Sequence, residues 1–173
     1  MIMTIVLAAV ILGAVGLDQL TKLLAVRYLE PIGSYPLWQN VLHLTYVENR
    51  GAAFGMLSNH RWVFMIFSAV AIVGLTVYLF RFCKEGKWVR VALAMIIGGG
   101  IGNMIDRIAL GYVVDFVDFT LIHFAVFNVA DSFVSVGAVM LAIWFVRSMI
   151  LEYRNGKSQK ADGASERHDD GTT

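Results

Sequence analysis

The sequence predicts an all-α polytopic membrane protein: four transmembrane helices with a small extracytoplasmic β-rich segment between spans one and two. Three observations lead there. Of 173 residues, 58% are hydrophobic and only 16% charged, against roughly 45–50% apolar in a soluble domain. Four apolar runs are each long enough to cross a bilayer, since about 20 helical residues traverse its roughly 30 Å core. The stretch between the first two runs has the wrong composition for a span.

The first span covers Met1 to about Val26. Its start lacks the basic n-region of a cleaved signal, so it is read as retained. Asp18 and Lys22 are four apart and share one helix face. An ion pair that makes the span insertable explains that spacing, and so does a brace for a neighbouring polar site. Residues 28–60 follow, broken by Pro31, Gly33, Ser34 and Pro36. From Trp38 to Val47 the residues are β-branched, aromatic or alternating, which predicts short strands. Next comes Asn49-Arg50-Gly51-Ala52-Ala53-Phe54-Gly55, either an ordinary turn or a packed loop beneath a site. The second span, Arg61 to Phe82, carries no internal charge, and its aromatics suit the lipid interface.

The third span runs from Trp88 to about Leu110. Gly98 and Gly102 form a small-xxx-small face suited to close helix packing in lipid. Asn103 and Asp106 lie three apart on one face, and Arg107 has a carboxylate or carbonyl partner to find. A structural polar knot is the preferred explanation of Asp106. In 111–127, Asp115 and Asp118 alternate with apolar residues, as in an extended segment at the membrane surface. The fourth span covers Phe127 to about Ile150. Asn128 suits an N-cap, whereas helix formation does not require Asp131. Residues 151–173 are polar and predicted to be a disordered cytoplasmic tail, leaving 1–150 as the membrane domain.

Lys and Arg crowd the link between spans two and three and the C-terminal flank, and none occurs from Ile108 to Phe127. Both termini are therefore expected in the cytoplasm. That topology gathers Asp18, Asp106, Asp115 and Asp131 at the outer boundary of the bilayer and leaves its middle uncharged. Carboxylates at that depth are costly and need partners or a task. A conduit would need polar groups across the whole depth, so a small ion- or proton-coupled transporter fits less well than a site at one level.

Two adjacent aspartates do not ionise together; one keeps a proton while the other acts as base. Such a pair can activate water against a carbonyl and protonate the leaving amine. The rival use of several aspartates is to hold Mg²⁺ for lipid or phosphate chemistry, but no DxxxD or DDxxD cluster is present. The scattered His43, His60 and His123 lack zinc spacing, no Gly-x-Ser-x-Gly occurs, and the one cysteine, Cys83, excludes disulfides within the chain and cysteine metal clusters. No cofactor and no metal is expected. The net charge of +1 offers no attraction to nucleic acid.

Five pieces in order resemble the lipoprotein signal peptidases of bacteria (signal peptidase II), which are membrane aspartic proteases. They are Asp18-Gln-Leu-Thr-Lys22, Asn49-Arg50-Gly51-Ala52-Ala53-Phe54-Gly55, Gly102-Asn103-Met104-Ile105-Asp106-Arg107, Val113-Val114-Asp115-Phe116 and Phe127-Asn128-Val129-Ala130-Asp131. The resemblance spans about Met1 to Ile150. It implies Asp115 and Asp131 as the catalytic pair. Asn49, Gly51, Asn103, Arg107 and Asn128 match positions that hold substrate, while Asp18, Lys22, Asp106 and Ala130 match a supporting shell. It also implies the substrate, a prolipoprotein whose cysteine carries diacylglycerol and which is cut just before that cysteine. Further implications are membrane lipid as a partner, a monomer, and a site near the outer face of the bacterial cytoplasmic membrane.

Overall fold

The computed structural model describes residues 2–51 and 61–169. The small-residue run Ala52, Ala53, Phe54 and Gly55, and His60 as well, lie outside the described residues. Among the described residues, four helices are long and apolar enough to cross a membrane. They are α1 (Ile2–Tyr28), α2 (Arg61–Val77), α3 (Lys87–Ala109) and α4 (Val129–Asp169). A π-helical turn, Tyr78–Phe82, extends α2 and completes the second span. Three strands, β1 (Ser34–Trp38), β2 (Leu42–Asn49) and β3 (Val113–Asp118), form one antiparallel sheet in that order.

The sheet joins two stretches that the sequence presents separately. The β-rich segment after α1 supplies β1 and β2, and the alternating segment after α3 adds β3. Val47 pairs with Asp115 and Asn49 with Val113. A register shift between Leu44 and Val47 accommodates the bend. Gly111 sits just past the end of α3 with φ +86°. Only glycine takes that left-handed conformation at no steric cost, and it turns the chain from helix to strand within three residues.

α3 is the central helix and packs against the other three. Its glycines make this packing close. A Cβ on Gly98 would lie 2.8 Å from Ala14 Cβ of α1, and one on Gly99 would collide with the Ala130 carbonyl of α4. Backbones approach this closely only where side chains are missing. An apolar core of Leu7, Leu79, Cys83, Val89, Leu93, Ala94 and Ile97 fills the far half of the bundle. Cys83 caps the π-helical turn and is buried there. The opposite end of α1 carries the sheet, through Ala25 and Leu29 against Val114 and Phe116. α2 keeps Ile66, Phe67, Val70 and Val73 exposed, a surface suited to lipid.

α4 does not end near Ile150. It continues as helix to Asp169. Once a span has formed, elongation carries no nucleation cost. Leu151, Glu152, Arg154, Lys157, Gln159 and Lys160 are good helix formers, and no proline intervenes. Residues 170–173 lie outside the described residues.

Candidate active site

The N-terminus of α4 builds the centre. Asn128 is its N-cap, and its side-chain oxygen accepts the Asp131 N–H at 2.9 Å. Asp131 Oδ2 in turn accepts the Asn128 N–H at 3.2 Å. This reciprocal pair is a capping box with aspartate at the third position. Asp131 therefore also serves the helix end, a role that the sequence reading did not assign to it. The Asn128 amide also reaches across to β3, donating to Asp115 Oδ1 at 2.6 Å. One side chain thus holds both aspartates.

Each aspartate has a second amide of its own. Asn49, at the end of β2, donates to Asp115 Oδ2 at 2.9 Å. The backbone N–H of Gly51 binds the Asn49 side-chain oxygen at 3.1 Å, which leaves the Asn49 NH₂ facing Asp115. Asn103, on α3, donates to Asp131 Oδ1 at 2.7 Å. Its oxygen accepts from Asn128 at 3.0 Å and from the Lys22 ammonium at 2.9 Å.

Behind this layer lies a saturated ionic cluster. Lys22 sits 2.9 Å from both Asp18 and Asp106. Together with Asn103 these use all three ammonium donors. Asp18 Oδ1 accepts the Ala130 N–H at 2.9 Å, tying α1 to α4. Asp106 Oδ2 accepts the Val114 N–H at 3.1 Å, tying α3 to β3. Gln19 donates to Asp106 at 2.9 Å and to the Gly102 carbonyl at 3.2 Å. Sequence reasoning quoted Gln19 inside a motif but gave it no role; its place beside Asp18 was the available signal.

All eleven residues singled out in the sequence fall at this end of the bundle. Arg107 is the loosest of them. Among the described residues it donates one hydrogen bond, to the Asn103 carbonyl one turn back, at 3.3 Å. No Arg107 ion pair with a carboxylate forms among the described residues. Most of its donors thus remain available to a ligand. Asp118, by contrast, lies further along the sheet and is bound by Thr45 at 2.9 Å. Arg50 stacks 5.5 Å over the Tyr112 ring and pairs with Glu48, forming an outer wall next to Asn49.

Asp115 is only 1% exposed. Burial raises its pKa to about 6, against hydrogen bonds from Asn49 and Asn128 that favour the anion, and the charge of Asp131 adds to the rise. A carboxyl group that titrates there, beside a second carboxylate, can exchange protons near neutrality.

The family described as Signal peptidase (SPase) II matches residues 10–147. The chain belongs to the signal peptidase II family. Among relatives of this signal peptidase II, the lipoprotein signal peptidase of Caldanaerobacter subterraneus subsp. tengcongensis is 54% identical over 139 residues, covering 80% of this chain and 92% of its own. That of Brevibacillus brevis is 47% identical over 137 residues, 79% of this chain and 90% of its own. A bacterial membrane enzyme solved by the in meso method at 2.3 Å superimposes with a TM-score of 0.76 at 28% identity, over 83% of this chain and 89% of that one. This signal peptidase II is therefore a multi-pass membrane peptidase of lipoprotein maturation, which removes signal peptides from prolipoproteins.

Proposed function

We propose that this peptidase is of the aspartic type, with Asp115 and Asp131 sharing one proton and activating one water. Its substrate is the diacylglyceryl-modified prolipoprotein, cut just before the lipidated cysteine. The observation that carries the reading is the Asn128 side chain. It bonds the Asp115 carboxyl group through its amide and the Asp131 backbone N–H through its oxygen, while the Asn128 backbone N–H binds the Asp131 carboxyl group, so one residue contacts both acids. Asn49, Gly51, Asn103, Arg107 and Asn128 line the approach and position the peptide. Asp18, Lys22, Asp106 and Ala130 brace them.

The proposed location follows from the same chemistry. A lipid-anchored cysteine keeps its scissile bond at the membrane boundary, so the acids must sit at that level. The basic link between the second and third spans assigns the opposite end to the cytoplasm, so the site faces outward from the cytoplasmic membrane, with both termini inside. The enzyme acts as a monomer surrounded by lipid.

The test is incubation of the purified protein in detergent with a diacylglyceryl-modified precursor and excess EDTA. A shortened lipoprotein and a released signal peptide are expected. Absence of product without EDTA, or product that disappears with EDTA, would overturn the aspartic reading.

A further inference from the structure

The two aspartates are held by different surroundings. Asp115 is enclosed, and among the described residues its oxygens accept from the neutral amides of Asn49 and Asn128. Asp131 is partly exposed and lies in the first turn of α4, where unpaired N–H groups favour an anion. One of its oxygens takes the Asn128 backbone N–H and the other the Asn103 amide.

The orientation of the Asn103 amide is imposed from behind. An ammonium can only donate, so Lys22 must face the Asn103 oxygen. Asn128 donates to that same oxygen. A flipped amide would turn NH₂ toward both of those donors and oxygen toward a carboxylate, losing all three bonds. With Lys22 in place, the Asn103 NH₂ is left for Asp131.

We propose that Lys22 is a positioning residue that acts through Asn103 to make Asp131 the resting base, so that Asp115 keeps the shared proton. The proposal rests on the aspartic reading and assigns its two roles. Water gives a proton to Asp131 as its oxygen bonds to the peptide carbon, and the carbonyl oxygen takes the proton of Asp115. The C–N bond then breaks as the amine nitrogen takes the proton from Asp131, and Asp115 recovers its proton from the diol. The products are one acid and one amine, and both aspartates return to their starting forms.

The charged groups facing the pair are few. α1 supplies Lys22, already paired with Asp18; α3 supplies Asp106, in the same cluster, and Arg107. β2 supplies the neutral Asn49, with Glu48 tied to Arg50. Burial, together with the Asp131 charge, keeps the Asp115 proton on to about pH 6, in the same direction as the geometry.

The experiment is an infrared titration of the full-length protein in detergent with ¹³C-labelled aspartate, following the carboxylic-acid C=O band near pH 6. Asp115→Asn is expected to remove the band. Asp131→Asn is expected to keep it, moved to lower pH. The reverse result would overturn the assignment. For the role of Lys22, the charge-balanced pair Lys22→Gln with Asp18→Asn should spread the band over both aspartates, shift the pH profile, and lower kcat about tenfold at unchanged KM. If that pair does not fold, Asn103→Ala cuts the link while leaving the Lys22 ion pairs with Asp18 and Asp106, and the substrate-free band should again spread over both aspartates. A merely structural Lys22 would lower the melting temperature and leave band and pH profile in place, which would overturn the proposal. The band is read without substrate, so failure of cleavage by the parent protein would count against the aspartic reading alone.

Discussion

Asp18 and Asp106 share the Lys22 ammonium at 2.9 Å each, whereas Asp115 and Asp131, a few bonds away through Asn103 and Asn128, are held by amides. All four carboxylates sit at one end of the same bundle. The first two have a counter-ion and saturated oxygens, so they are committed to joining α1, α3, α4 and β3. The other two are oriented without being neutralised. A neutral amide fixes where a carboxylate points and leaves its charge state free, which a proton-shuttling group requires. On the proposed aspartic reading, what separates structure from chemistry is the partner, not the residue type.

The largest expected effect comes from exchanging that distinction at the pair itself. Asp115→Asn and Asp131→Asn should each lower cleavage of a lipidated precursor by on the order of 10³-fold, within the span typical of lost acid–base groups. Melting in detergent at low pH, where a protonated carboxyl group and an amide each present one donor and one acceptor side, should change by no more than about 1 kcal/mol. Full activity in either variant would erase the contrast. In the ionic cluster the loss should run the other way. Lys22→Met strands two buried carboxylates, and breaking such a cluster costs about 3–5 kcal/mol. The variant should therefore lose folded protein, measured by thermal unfolding or yield, before any kinetic defect can be read.

A pH titration sharpens the comparison from the side of stability. Asp115 titrates near 6 in the folded protein, above its ordinary 3.8. The folded state thus binds this proton more tightly than the unfolded chain does. Its stabilising contribution is complete below 3.8 and is lost as pH rises through 6. About two units correspond to roughly 3 kcal/mol. Relative to Asp115→Asn, the parent protein should lose stability over that window in detergent melts. Parallel curves for the two proteins would show that Asp115 is not the titrating group.

Much of this arrangement was legible in the chain. Apolar runs fix four spans because each must satisfy its backbone internally. Asp18 and Lys22 reveal a shared face because helix spacing alone brings them together. The sequence was silent wherever a contact depended on how elements rotate against each other. Asn49 and Asp115 meet only because β3 pairs with β2, and no local pattern encodes that register. The same holds for Gln19 on Asp106 and for the Ala130 N–H on Asp18. The capping contact of Asp131 was not read from the sequence, since a capping box is normally recognised by glutamate or glutamine at its position. The length of α4 beyond Ile150 follows from propagation, since an existing helix needs no new nucleus.

The smallest expected effect tests how sharply the two groups are separated in space. Gly102 lies on the α3 face toward α1, and a Cβ there would sit 2.5 Å from Asp18 Oδ2 and 3.1 Å from its Cγ. The carboxylate cannot retreat without stretching its bonds to Lys22 and Ala130. Gly102→Ala should therefore cost about 1–3 kcal/mol, the usual range for overpacking. Gly100 faces α2 on the same helix, where a Cβ would meet only Ile72 Cγ1 at 3.1 Å and Cδ1 at 3.3 Å. A flexible side chain can give by a few tenths of an ångström, so Gly100→Ala should cost less. The two variants change helix propensity alike, so the difference between their melting temperatures isolates the crowding at Asp18. If the clusters are separable, folded Gly102→Ala enzyme keeps the parent's pH profile. A shifted profile would mean that strain in the ionic cluster reaches the aspartate pair, and the division between a structural and a reactive group of carboxylates would have to be redrawn.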